Sequence, residues 1–231
     1  MKNGILYGVG VGPGDKELIT LKAVRVLKEA DIIAVPVTKG GAMTAYEIVE
    51  DHIKDKEIHK YYMPMTKDFE ELERNYEEIS DSVEEYLNSG KNVAFITLGD
   101  PSVYSTYMRI NRIVKKRGYD TELIAGVPSF CAAAARLNIA LCDRDEPLII
   151  LPASYDIDDG LKLEGTKVLM KANRAVLEVR DKLKEYGLSD RAYLVEKCGM
   201  QGEKVYRDIN DLEDKTSYFS VIIVKDSKEG I

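Results

Sequence analysis

Apolar and polar positions along the first half of the chain predict alternating strands and helices. Residues 5–11 form a short β-branched run bounded by glycine and read as a first strand. Leu21, Val24 and Leu27 then recur at helical spacing behind Thr20, a residue type that caps helix starts. Residues 31–37 predict a second strand, 45–53 a helix that resumes after Gly40-Gly41, and 57–63 a third strand. The clearest periodicity lies over 69–88. There Leu72, Tyr76, Ile79, Val83 and Leu87 share one face, acids fill the other as a solvated surface, and Gly90 follows the end. Residues 92–98 predict a fourth strand, 104–116 a helix ending near Gly118, and 122–125 a fifth strand. The repetition predicts an α/β domain: an open, mainly parallel sheet with helices on both faces, receiving ligands at the carboxyl ends of its strands.

Beyond Pro128 the pattern changes. A helix of small residues over 130–137 precedes strands at 148–151, 167–170, 192–195, 204–206 and 218–224, with one strong helix at 175–186. From Ala192 onward the connections are too short for helical crossovers, so this half reads as α+β with a mainly antiparallel sheet. The expected division is an N-terminal domain over 1–127 and a C-terminal domain over 128–231.

Composition narrows the classes of function. The 231 residues carry 33 basic and 40 acidic side chains, a net charge of -7, with 45% hydrophobic and 32% charged residues. That balance suits a folded globular chain and excludes disorder and collagen. A pI near 5.1, without a block of five like charges, lacks the basic footprint that nucleic acid rewards. The longest near-apolar run, 131–142, is broken by Arg136 and Asn138 and falls short of the roughly 18 residues of a membrane span. The glycine-rich start has no continuous apolar core of a signal peptide, so the expectation is a cytoplasmic protein with no membrane partner. Cys131, Cys142 and Cys198 form no C-x-x-C pair, and His52 and His59 lie in a charged stretch, so neither a disulfide framework nor a metal site is encoded. Cys131 and Cys142 read as buried small hydrophobes.

Three loops carry the candidate chemistry. Gly8-Val9-Gly10-Val11-Gly12-Pro13-Gly14 follows a strand and precedes a helix, where backbone can approach a bound cofactor closely. It fails the dinucleotide fingerprint, because Pro13 stands where glycine is wanted and Val35-Pro36-Val37 ends strand two without a ribose-binding acid. No G-K-[ST] follows, which excludes a Walker loop. Gly99-Asp100-Pro101-Ser102-Val103-Tyr104-Ser105-Thr106 leaves strand four and Gly126-Val127-Pro128-Ser129 leaves strand five, so all three loops should meet at one sheet edge. Each also fits a plain turn or helix cap, and Ser129 by itself reads best as an N-cap.

These residues resemble the tetrapyrrole methylases that use S-adenosylmethionine. The resemblance rests on Tyr7 to Asp15, on Leu18-Ile19-Thr20-Leu21-Lys22-Ala23, and on Gly99-Asp100-Pro101 with Tyr104-Ser105. It extends along the chain through Lys167-Val168-Leu169-Met170, Val195-Glu196-Lys197-Cys198-Gly199 and the strand after Tyr218-Phe219-Ser220. Within the family, Gly40-Gly41 leading into Ala45-Tyr46-Glu47, the Pro128-Ser129-Phe130-Cys131 helix start and Tyr218-Phe219-Ser220 are most similar to the C-20 methylases of precorrin-2 in cobalamin biosynthesis. Ala125 departs from the proline that many relatives carry before this glycine, and Cys198-Gly199 departs from their other small or polar residues.

The resemblance implies S-adenosylmethionine as methyl donor, S-adenosylhomocysteine as product, a tetrapyrrole substrate and a homodimer. It places Pro13, Leu98, Gly99, Asp100, Val103, Pro128, Ser129, Met170 and Cys198 around the cofactor, in an active site in the cleft between the two domains, with Asp100 and Tyr104 as the catalytic residues. Asp100 fits the N-cap of the next helix equally well, Met170 a core filler, and Tyr104 simple packing. The substrate's carboxylates require a local basic rim on an acidic protein, for which Lys39, Arg109, Arg112 and Lys171 are candidates; each also fits an ordinary solubilising surface. Other readings are methylation at another ring position or of uroporphyrinogen-III, or a non-catalytic tetrapyrrole binder of the same fold.

Overall fold

The computed structural model describes residues 2–38, 40–66 and 68–226, which divide into two compact units between Pro128 and Ser129. The first unit is a sheet of β1 (Leu6–Gly10), β2 (Ile32–Val37), β3 (Glu57–Tyr62), β4 (Val93–Thr97) and β5 (Thr121–Ile124). All pairings are parallel, in the order β3-β2-β4-β1-β5.

The inner strands β1, β2 and β4 are largely apolar because both faces are covered. Val9, Ile33, Val35, Ala94 and Ile96 point to one side, where α1 (Leu21–Glu29) and α2 (Thr44–Val49) bury Ala23, Val26, Leu27, Ala45 and Ile48. The alternate positions Leu6, Ile32, Ala34, Val93 and Phe95 point to the other side, against α3 (Phe69–Asn88) and α4 (Tyr107–Lys116). In α3, Tyr76, Ile79, Val83 and Leu87 are buried, as their spacing predicts.

Three details of the first unit differ from the sequence reading. The buried stripe of α1 is Ala23, Val26 and Leu27, whereas Leu21 is 89% exposed; Thr20 does cap the helix, its Oγ1 accepting from the Ala23 N–H at 3.1 Å. Helix α4 begins at Tyr107 rather than Tyr104, whose φ of 47° is left-handed and closed to a right-handed helix. The acidic face of α3 is only partly solvated surface: Asp81 (2.8 Å), Glu84 (2.5 Å) and Glu77 converge on Arg117 after α4, fastening the two helices and pushing the guanidinium pKa up.

The second unit holds β6 (Leu148–Pro152), β7 (Thr166–Met170), β8 (Ala192–Glu196), β9 (Lys204–Tyr206) and β10 (Ser220–Val224), ordered β6-β7-β10-β8-β9. The pairings are antiparallel except β6 with β7, which run parallel. A connection containing the short helix α6 (Asp158–Leu161) returns the chain between those two strands. Leu161, together with Val176, Val179 and Leu183 of α7 (Val176–Glu185), packs on Leu169, Leu194 and Ile222.

Helix α5 (Ser129–Leu137) lies against β10 and buries Phe130, Ala132, Ala133, Ala134 and Leu137. Cys131 therefore falls on its outer side, and Cys131 and Cys142 are both exposed rather than buried. Lys225, 2% exposed, donates to Leu141 O and Glu146 Oε2, both at 3.0 Å, while Glu146 Oε1 accepts from the Thr166 hydroxyl. These bonds hold the segment before β6 to the end of β10. Among the described residues no helix is long and apolar enough to cross a membrane.

Candidate functional site

Strands β4, β1 and β5 are adjacent, so the loops that leave their carboxyl ends run side by side. Gly12 and Gly99 pair by backbone: the Gly99 N–H donates to Gly12 O at 2.7 Å and the Gly12 N–H to Gly99 O at 3.3 Å. Their φ values of 85° and 71° belong to the left-handed region that glycine occupies without strain. A Cβ added to Gly10 would lie 2.6 Å from Gly99 O and 2.7 Å from Gly126 N, and one added to Gly126 would lie 2.2 Å from Gly99 O. Three chain segments thus meet backbone to backbone at Gly10, Gly99 and Gly126.

Gly99 is buried, but the contact does not fill the space a side chain there would take. A Cβ there would meet only Val127 O, at 3.9 Å, leaving room in which a ligand can touch the main chain. The residues present fit a cofactor held by backbone contacts, and a side chain at position 99 would fill that room.

Asp100 is not the cap of α4. Its Oδ1 accepts from the Ser102 N–H (2.8 Å) and hydroxyl (2.5 Å), and its Oδ2 from the Gly126 N–H (2.9 Å). The carboxylate therefore folds its own loop and holds the third loop. The Thr20 hydroxyl donates to Ala125 O at 3.3 Å while capping α1. The hydroxyls of Thr97 and Ser105 meet at 3.0 Å and close the base of the second loop.

In these three loops Pro13 is buried, and Leu98, Val103 and Pro128 are half-buried. Tyr104 stands in the second loop, 42% exposed on its left-handed backbone. Sequence reasoning missed Thr20, Ser102 and Ser105 as loop partners; their only signal was a hydroxyl within or beside a glycine-rich turn.

In the second unit Ser129 sits inside the first turn of α5 rather than capping it. Met170 is half-buried at the end of β7, its carbonyl accepting from the Ala153 N–H at 2.7 Å, and Cys198 is half-buried just after β8. Met170 pairs with Val221 and Glu196 with Ser220, so both positions belong to the same end of this sheet. Lys171 and Lys197, directly after those strands, have φ of 60° and 51°. The hydroxyl oxygens of Thr216, Ser217 and Ser220 near that end are buried without a hydrogen-bond partner, a feature no sequence pattern reports.

Of the proposed basic rim, Arg109 and Arg112 are exposed on α4, and Lys171 is half-buried, its ammonium pKa pushed down by desolvation. Lys39 lies outside the described residues. Among the described residues no three His, Cys, Asp or Glu side chains gather as a metal-binding set.

The chain is 38% identical over 229 residues to a probable cobalt-precorrin-2 C(20)-methyltransferase of Methanocaldococcus jannaschii, covering 95% of each chain. It is 31% identical to the cobalt-precorrin-2 C(20)-methyltransferase of Salmonella typhimurium, covering 96% of each. Its fold matches a cobalt precorrin-4 methyltransferase with a TM-score of 0.75 at 24% identity, over 96% of this chain and 94% of that one. It also matches a uroporphyrin-III C-methyl transferase from Thermus thermophilus complexed with S-adenyl homocysteine, with a TM-score of 0.69 at 21% identity, over 96% and 97%. Residues 5–213 match the family model of the tetrapyrrole (corrin/porphyrin) methylases, and with relatives of this similarity along nearly its whole length the chain belongs to that family.

Proposed function

We propose that the protein transfers one methyl group from S-adenosylmethionine to C-20 of precorrin-2 or of its cobalt form, in cobalamin biosynthesis. The observation that carries the cofactor reading is the meeting of Gly10, Gly99 and Gly126, with the space outside Gly99 left to a ligand. The choice of C-20 follows two relatives whose names specify that carbon and nearly all of whose length this chain matches.

S-adenosylmethionine, when bound, supplies a methyl already activated on a sulfonium, so the protein needs no nucleophile of its own. The chain's task is positioning, which supplies about 7–11 kcal/mol of a barrier in favourable cases. Gly99, its own N–H taken by Gly12, brings main chain to a fixed place, and Pro13, Leu98, Val103 and Pro128 are proposed to line the cofactor beside it. Main-chain oxygens over 98–101 are available for weak C–H contacts with the polarised methyl, a second-order contribution. With three donors on its carboxylate, Asp100 is engaged in holding loops rather than in taking a proton. Ser129, Met170 and Cys198 complete the proposed cofactor contacts, and Tyr104 is proposed to orient cofactor or substrate.

The decisive experiment supplies carbon-13-labelled S-adenosylmethionine with precorrin-2, with and without cobalt, and assigns the product by NMR. A new methyl at C-20 is expected. A methyl on a pyrrole β-carbon and none at C-20 would keep the family and overturn this function. The same reading includes a cytoplasmic homodimer; sedimentation of only a 25.9 kDa species at micromolar concentration would contradict the dimer.

A further inference from the structure

Ala125 O and the Gly126 N–H belong to one peptide group, and each end of it is held by a different loop. Its oxygen accepts from the Thr20 hydroxyl at 3.3 Å and its N–H donates to Asp100 Oδ2 at 2.9 Å. Thr20 opens α1 behind the first glycine loop, and Asp100 stands in the second. The clamped peptide group begins the third. We infer that Thr20 and Asp100 are a pair of positioning residues that fix the plane of the 125–126 peptide and through it hold the glycine contact in its ligand-ready form.

The peptide plane is set by these bonds because the backbone around it supplies no side-chain anchor. Residue 126 is glycine by necessity, since its Cβ would fall 2.2 Å from Gly99 O, and a glycine has the widest choice of backbone angles. Ala125 is exposed and its side chain is not held in a core. Rotation of the 125–126 plane would withdraw the Gly126 N–H from Asp100 and move Gly126 against Gly99 O and Gly10. Both clamping groups are saturated for this purpose. The Thr20 hydroxyl accepts from Ala23 N–H and donates to Ala125 O, and Asp100 divides its oxygens between Ser102 and Gly126. An amide at position 100 has one acceptor oxygen in place of two; that oxygen stays with the two donors of Ser102, so Asp100→Asn turns its NH2 toward the Gly126 N–H and loses that bond.

This inference rests on the cofactor reading above, and its test separates the two. Calorimetry with S-adenosylhomocysteine would be run on the wild type, Thr20→Val, Thr20→Ser, Asp100→Asn and the double variant Thr20→Val/Asp100→Asn, with hydrogen exchange of the Gly126 amide measured without ligand. Thr20→Val and Asp100→Asn should each weaken binding about tenfold, and Gly126 should exchange faster in both. Thr20→Ser, which keeps the hydroxyl, should restore wild-type affinity. Because both bonds fix one plane, the double variant should lose little more than either single one. Val at position 20 also removes a helix cap, so a lower Tm alone decides nothing; unchanged affinity and unchanged Gly126 exchange in folded Thr20→Val and Asp100→Asn would overturn the inference. Fully multiplied losses in the double variant would overturn it too. A wild type that fails to bind S-adenosylhomocysteine, yet whose Gly126 protection depends on both residues, would sink the cofactor reading and leave the clamp standing.

Discussion

The ring of Tyr107 occupies the space that a side chain at position 8 would need: a Cβ built on Gly8 falls 2.0 Å from Tyr107 Cε1. Tyr107 is 1% exposed, packs on Phe95 with ring centroids 5.5 Å apart, and accepts from Asn111 Nδ2 through its hydroxyl; burial pushes its phenol pKa well up. The first glycine of the loop motif therefore serves the core beneath the site.

Gly8→Ala should destabilise the fold by about 1–3 kcal/mol, the usual cost of overfilling a packed core. Denaturant unfolding measures it. A variant as stable as the wild type would show that Tyr107 has another place to go.

Gly99→Val should behave differently. Its left-handed φ costs a β-branched residue about 1–3 kcal/mol, while the space beyond it is open, so the protein should still fold and lose S-adenosylhomocysteine binding. Wild-type affinity in a folded Gly99→Val protein would remove the ligand from this loop.

Removing Glu146 from the Lys225–Glu146 pair should cost about 3 kcal/mol, because the buried Lys225 ammonium then keeps only the Leu141 carbonyl. Burial opposes ionisation of Glu146, but bonds from Thr166, Lys225 and the Asp143 N–H outweigh it and hold its pKa below the ordinary carboxylate value. A depressed folded pKa gives stability that is complete above the unfolded value of about 4.3 and is lost as pH falls through the folded one. Glu146→Gln should flatten the acid limb of a stability profile, and a limb of unchanged steepness would assign acid sensitivity elsewhere.

Cys131 and Cys142 should both react with a thiol reagent in the native protein, as their exposure requires. At pH 8 Cys131 should react more slowly than a cysteine in an unstructured peptide, since desolvation pushes its thiol pKa up and lowers the thiolate fraction. Labelling of neither before unfolding would contradict their placement.

What the sequence disclosed depended on whether the governing contact was local. The stripe of Tyr76, Ile79, Val83 and Leu87 was legible because helical spacing alone puts those side chains together. The cap at Thr20 was legible from its place before an apolar repeat. Leu21 misled for the same reason: it keeps the spacing but precedes the turn that faces the sheet, and Ala23 and Val26 carry the contact. Asp100 looked like a cap because its distant partner, the Gly126 N–H, leaves no trace in nearby residues. Cys131 lies in a row of small residues with little amphipathic contrast, so its outward face could not be read.

Strand order also dictates when the glycine contact can exist. Strands β1 and β2 are consecutive in the chain but do not pair, because β4 lies between them. The gap between the first two strands must therefore stay unfilled until residues 93–97 arrive, and β5 adds the third loop only after residue 124. Contacts of this sequence separation carry a loop-closure cost and form slowly. On the ribosome, the first glycine loop emerges more than a hundred residues ahead of its last partner, and the nascent chain has no assembled cradle until the whole first unit has been made.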